Sequence, residues 1–123
     1  MSNAERVVVM GASSKPERYS YKAVALLLEK GHEAIPVHPA LREVHGLPVV
    51  DRIEKVEGPV DTVTLYIGPR QIEELADAIV AKRPRRVIAN PGAESETMRK
   101  KAEAAGIQYL EACTLVLLRT GQF

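Results

Sequence analysis

Short unbroken runs of apolar, mostly β-branched residues alternate along this chain with longer stretches in which apolar positions recur every three or four residues. The first kind of run reads as a strand buried on both faces, the second as an amphipathic helix. RVVVMGA (6–12) is the first strand, closed by Gly11. YKAVALLLEKG (21–31) follows as a helix, with Ala23, Val24, Leu27 and Leu28 on one face and Gly31 as its C-terminal cap. HEAIPV (32–37) is the second strand, and its Pro36, which has no N–H to give a ladder, belongs at a strand end or an unpaired position. Residues 38–59 are the least regular part, read as a loop with a short strand or turn and a short helix around Arg52 to Val56. VDTVTLYI (60–67) is a third strand, and GPRQIEELADAIVAK (68–82) is the clearest helix, with Pro69 at its start and Ile72, Leu75, Ala76, Ile79 and Val80 on one face. RRVIAN, ESETMRKKAEAAG and IQYL complete the alternation, and the apolar ACTLVLL (112–118) is expected to fold back on the core or meet a partner.

Strands separated by helices of this length imply right-handed parallel crossovers. The expected fold is therefore α/β: a Rossmann-like, doubly wound, parallel five-stranded sheet in the order 3-2-1-4-5, with helices on both faces and a single domain over residues 1–123. Ligands of such sheets bind beyond the carboxyl ends of the strands, where the strand order reverses. That rule gathers residues 11–20, 37–41, 66–70 and 90–94 on one rim, with Cys113 towards it.

Composition narrows the classes. Hydrophobic residues make up 46% of the 123 and charged ones 27%, as in ordinary globular chains. The formal charge of +1, from 17 basic and 16 acidic side chains, gives no general pull towards nucleic acid or anionic lipid. Any phosphate binding must then come from local geometry. No apolar run approaches the roughly 20 residues of a bilayer span. The N-terminal MSNAER has no apolar signal core, and the lone cysteine suits a reducing compartment, so cytoplasmic residence is expected.

The loop GASSKPERYS carries the first candidate chemistry. One reading is helix capping, with Ser14 as N-cap and Glu17 three residues on. The other is an anion site, in which N–H groups at a helix start meet a phosphate beside Ser13, Lys15 and Arg18. The loop lacks the second and third glycines of a dinucleotide fingerprint, and Val37-His38-Pro39 offers no acid for a ribose hydroxyl; both count against an NAD dehydrogenase. His32 reads as structural or surface, His38 as a rim residue that either contacts ligand or is a plain loop histidine, and His45 as a loop residue with no partner. No metal-ligand spacing or nucleophile elbow occurs, so no metal site and no catalytic residue is expected. Glu94 beside Asn90 offers a general base on one reading, and on the plainer one is an acidic first-turn residue of its helix.

The pattern G-A-S-x-x-P-x-R-x-S, then P-V-H-P after the second strand and G-P at the third helix, resembles the small stand-alone CoA-binding domain proteins. These are similar to the CoA-binding domain of the succinyl-CoA synthetase alpha subunit, and the resemblance covers residues 6–118. It implies that Gly11, Ala12, Ser13, Ser14, Lys15, Arg18 and Ser20 surround the phosphates of CoA. Val37, His38 and Pro39 match the family's P-V-N-P segment at the adenosine end, with His38 in place of the family's Asn. Ile67, Gly68 and Pro69 would cover the nucleotide. Asn90, Pro91, Gly92 and Glu94 match the loop towards which the pantetheine arm runs, and Cys113 matches a cysteine found near the end of many members. A mixed disulfide between Cys113 and the CoA thiol competes with the plainer reading of a buried small residue.

The leading expectation is a non-catalytic protein that binds CoA or an acyl-CoA, with no nucleic acid or membrane partner and a homodimer or protein partner left open. The alternatives are an NAD(P)-binding oxidoreductase or nucleotide-handling enzyme on the same fold, and an interaction subunit whose tail, residues 114–118, docks on a partner or second copy.

Overall fold

The computed structural model describes residues 4–123; the polar lead-in at residues 1–3 lies outside them. The chain runs β1 (Arg6–Met10), α1 (Tyr19–Glu29), β2 (Glu33–Val37), β3 (Glu43–Val44), β4 (Leu47–Pro48), a 3-10 turn (Ile53–Lys55), β5 (Thr62–Leu65), α2 (Pro69–Ala81), β6 (Arg86–Ala89), α3 (Glu96–Ala104), β7 (Gln108–Glu111) and α4 (Thr114–Arg119). Five strands form one parallel sheet in the order β2-β1-β5-β6-β7, and β3 and β4 form a small antiparallel hairpin.

Period-two alternation sorts the strand side chains between two cores. Val7 and Val9 of β1 join Val24, Leu27 and Leu118 under α1 and α4. Val8 and Met10 join Ile72, Ile79, Met98 and Ala102 under α2 and α3. Each face of the sheet is thus covered by helices, which is why the strands read as unbroken apolar runs. The apolar tail folds on its own chain: Leu115 and Leu118 of α4 are buried, and only Val116 is prominently exposed.

The strand order corrects the expected 3-2-1-4-5. In order of appearance the five main strands lie 2-1-3-4-5, with β2 at an edge and β5 beside β1. Pro36 supplies the physical reason. Its carbonyl accepts from Val50 N–H at 3.0 Å, on the side away from β1. In a strand the N–H and C=O of one residue point to the same side, so the donor Pro36 lacks is missing from the outer side. An interior β2 would need that donor. Only an edge position, covered by one bridge between Val37 and Val50, tolerates its absence.

This order moves the reversal point. The chain leaves β1 through α1 on one face and leaves β5 through α2 on the other, so the crevice opens between β1 and β5. The loop after β6, at residues 90–94, is one strand further out.

Candidate functional site

A cleft of about 1090 Å³ occupies this reversal point. Three strand ends are lashed together at its floor. Gly11 and Ala12 N–H both donate to the Val37 carbonyl, at 3.0 and 3.2 Å, and Tyr66 N–H donates to the Met10 carbonyl at 2.9 Å. Gly11 has φ 84°, and a β-carbon there would lie 2.6 Å from the Tyr66 carbonyl oxygen. Glycine is what lets the first loop turn out of β1 against β5.

The first loop does not form the expected capping box. α1 begins at Tyr19 with Arg18 as N-cap, and no side chain caps it. Ser13 Oγ instead accepts from Lys15 N–H at 3.0 Å, and Arg18 N–H closes a turn onto the Lys15 carbonyl at 3.0 Å. Residues 14–17 are thereby held in a turn before the helix. The first turn of α1 carries no acidic residue, and the positive end of the helix dipole faces the cleft, which Glu17, just before the N-cap, also lines. Lys15 and Arg18 line the same end and form no ion pair among the described residues. On the opposite wall α2 starts with Pro69 at its first position, and Gly68 N–H donates to Gln71 Oε1 at 3.4 Å.

Of the residues singled out in the sequence, the cleft brings together Gly11, Ala12, Ser13, Ser14, Lys15, Arg18, Ser20, Val37, His38, Pro39, Ile67 and Gly68. Pro69, Asn90, Pro91, Gly92, Glu94 and Cys113 lie outside its lining. Asn90 is buried, and its carboxamide is spent inside the protein. Nδ2 donates to Thr64 Oγ1 at 2.7 Å and to the Leu65 carbonyl at 2.8 Å, while Oδ1 accepts from Thr114 N–H at 2.8 Å. It fastens α4 to β5 and β6. Glu94 precedes the Ser95 N-cap of α3 and accepts from Gly92 N–H at 3.0 Å; the first-turn acid is Glu96, which corrects the role expected of Glu94. Cys113 is half-buried at the start of α4.

The cleft also takes in residues the sequence reading passed over. Asp51, Arg52 and Ile53 reach it because the Val37–Val50 bridge draws the irregular segment alongside the end of β2. Gln71 and Leu75, four apart on α2, present one helical face. Tyr66 lines the cleft, while its phenolic oxygen is buried without a hydrogen bond of acceptable geometry. Burial holds that phenol far above its ordinary range, outweighing the nearby Thr114 and Thr64 hydroxyls, and Cys113 adds to the rise. No group of three His, Cys, Asp or Glu that would hold a metal occurs among the described residues, and no described helix is long and apolar enough to cross a membrane.

A family model described as a CoA binding domain matches residues 5–119. The chain belongs to the CoA-binding domain family. Among solved structures, this CoA-binding domain is similar to an uncharacterized protein at 38% identity and TM-score 0.92, covering 98% of each chain. It is similar in fold alone to a dinucleotide-forming acetyl-coenzyme A synthetase 1 of Ca. Korarchaeum cryptofilum, at 20% identity and TM-score 0.76, covering 90% of this chain and 26% of that one. Among curated proteins it is 29% identical over 77 residues to the uncharacterized protein YneT of Bacillus subtilis (strain 168), a match covering 63% of this chain and 57% of that protein.

Proposed function

We propose that this chain is a non-catalytic binder of CoA or an acyl-CoA, with the diphosphate held by the 11–20 loop. The observation that carries this reading is the uncapped N-terminus of α1, with no acid in its first turn, opening on the cleft beside Lys15 and Arg18. Helix N–H groups with adjacent cations are the standard chemistry for a phosphate. The volume, about 1090 Å³, suits a ligand larger than a mononucleotide. Val37, Pro39 and Ile67 offer apolar surfaces for the adenine. The pantetheine arm would leave between the first loop and the start of α2, past Gly68 and Gln71.

A binding role fits the state of three of the ionisable groups in the cleft, which the Glu17 carboxylate also lines. Asp51 is taken by Lys55 at 3.1 Å, His38 Nδ1 is occupied by backbone, and the Tyr66 phenol is turned into the protein. No lining nucleophile lies in hydrogen-bond contact with a base among the described residues, as acid–base or nucleophilic catalysis requires. A reducing, cytoplasmic setting suits the single free thiol.

Isothermal titration with CoA, dephospho-CoA, NAD+ and NADP+ tests the proposal. Tightest binding by CoA is expected, and Arg18→Ala should weaken it about tenfold with an unchanged melting temperature. Preference for NAD+ with no response to CoA would overturn it in favour of an oxidoreductase.

A further inference from the structure

We infer that two copies of this chain pair reversibly through β7, antiparallel, about a dyad that passes between their Leu110 residues. The pairing is independent of what the cleft binds.

β7 is bonded on one side only. Gln108 N–H donates to the Arg85 carbonyl at 3.2 Å and Ala112 N–H to the Ala89 carbonyl at 3.1 Å. Backbone groups alternate in direction along a strand, so Gln108, Leu110 and Ala112 turn theirs to β6. Tyr109 and Glu111 turn theirs outward, where neither N–H and neither carbonyl has a hydrogen-bond partner among the described residues.

This free side is complementary to itself in one register. Strands related by a dyad normal to the sheet keep their faces, so only residues an even number of positions apart meet. With Leu110 on the dyad, Tyr109 meets the second copy's Glu111, and the two exchange N–H and C=O bonds on both sides of the axis. Every outward group of Tyr109 and Glu111 is then satisfied. Centred on Tyr109 instead, Glu111 faces Ile107, whose N–H is already given to the Ala102 carbonyl at 2.9 Å, and the Glu111 carbonyl goes without. Centred on Glu111, two carboxylates stand directly opposite each other, which destabilises a pair.

The side chains agree with the Leu110 register. Leu110 is half-buried, and its remaining apolar surface meets its own copy at the close spacing of a non-hydrogen-bonded pair, about 4.5 Å between α-carbons. On the other face Tyr109 Oη donates to Glu111 Oε2 at 3.2 Å within one chain, and across the dyad the same phenol and carboxylate stand side by side again. A four-residue edge buries less than the roughly 1,200–2,000 Å² of a lasting complex, so the pair fills with concentration.

Sedimentation equilibrium from about 10 µM to about 1 mM tests the pairing. The mean mass should climb from 13.5 kDa towards twice that value and stop there. In hydrogen exchange the Tyr109 and Glu111 amides should slow by at least about threefold over the same range, while those of Leu110 and Ala112, held by β6, stay as they are. Glu111→Pro removes one outward N–H, as Pro36 already does on β2, and should weaken the pair about tenfold. In a Cys113→Ser background, Leu110→Cys should link two chains on mild oxidation, because the dyad brings the two positions within disulfide range. Gln108→Cys, which faces the second copy's Ala112, should not. The exchange and cross-linking readings do not depend on the proline variant folding. A mass that stays at 13.5 kDa or rises past two chains would overturn the pairing. So would Tyr109 and Glu111 amides that ignore concentration, or Gln108→Cys linking as readily as Leu110→Cys.

Discussion

A β-carbon on Gly11 would stand 2.6 Å from the Tyr66 carbonyl oxygen and 2.7 Å from Ile67 Cγ2, at a φ of 84°. Gly11→Ala therefore meets backbone that cannot step aside. It should cost more than the ~1–2 kcal/mol of a left-handed residue alone, read as a lower midpoint in chemical denaturation. Tyr66 lies on the other side of this contact, and its hydroxyl is buried without a bond. Tyr66→Phe removes an unmet polar group and should leave stability unchanged or raise it by up to about 1 kcal/mol. The same phenol has a pH signature. Its folded-state pKa lies above the ordinary 10.0, so the folded protein holds a proton that the unfolded chain releases. Stability from this source is whole below pH 10 and is lost as pH rises beyond it. Denaturation midpoints should fall faster above that pH in wild type than in Tyr66→Phe. Asn90 marks the limit of legibility at this scale. Its position at a strand end made it a ligand candidate, but the carboxamide turns inward to partners on β5 and α4 that are distant in sequence.

Two serines placed ahead of helices behave differently at those starts. Ser14-Lys15-Pro16-Glu17 satisfies the capping-box spacing, yet the chain is diverted into a turn by the Ser13 and Lys15 bonds and α1 starts at Tyr19. Ser95 is a working N-cap, its Oγ accepting from Met98 N–H at 3.1 Å. Ser95→Ala should then cost about 1 kcal/mol, whereas Ser14→Ala should stay within about 0.5 kcal/mol, both read from urea melts. Ser95 has Met98 three residues on, so the serine with the full capping-box spacing is the one that does not cap, and spacing alone misleads. The helices themselves were legible from periodicity. α2 begins at Pro69 as expected, because Ile72, Ala76 and Ile79 form one buried stripe. The segment 38–59 was legible only in outline: the short helix expected around Arg52 to Val56 is the 3-10 turn Ile53–Lys55, while the β3–β4 pairing and the Val37–Val50 bridge that hold the segment beside β2 depend on contacts no local pattern encodes.

For the molecule as a whole, the α/β class and the parallel sheet followed from alternation, whereas strand order did not. The decisive clue was Pro36, recognised as unable to donate but not carried through to an edge position. That step shifted the cleft to the β1–β5 crevice and left residues 90–94 beside it rather than in it. α4 closes the structure: Leu115 and Leu118 are buried, Thr114 N–H meets Asn90, and the Thr114 and Thr64 hydroxyls are 2.7 Å apart. Deleting residues 114–123 would strip that core face and orphan the Asn90 carbonyl, a loss of more than about 3 kcal/mol that should abolish cooperative unfolding in calorimetry. The two borders of the sheet are also unlike. On β2 the missing Pro36 donor and the Val50 strap leave no continuous row of groups for another strand to read. On β7 the outer row is complete among the described residues, with only the exposed Gln108 and Glu111 to discourage a visitor. The sheet is thus a template in one direction only: chains that stick through their borders would join by β7 against β7, a contact that closes on itself as a pair and does not propagate into a fibre.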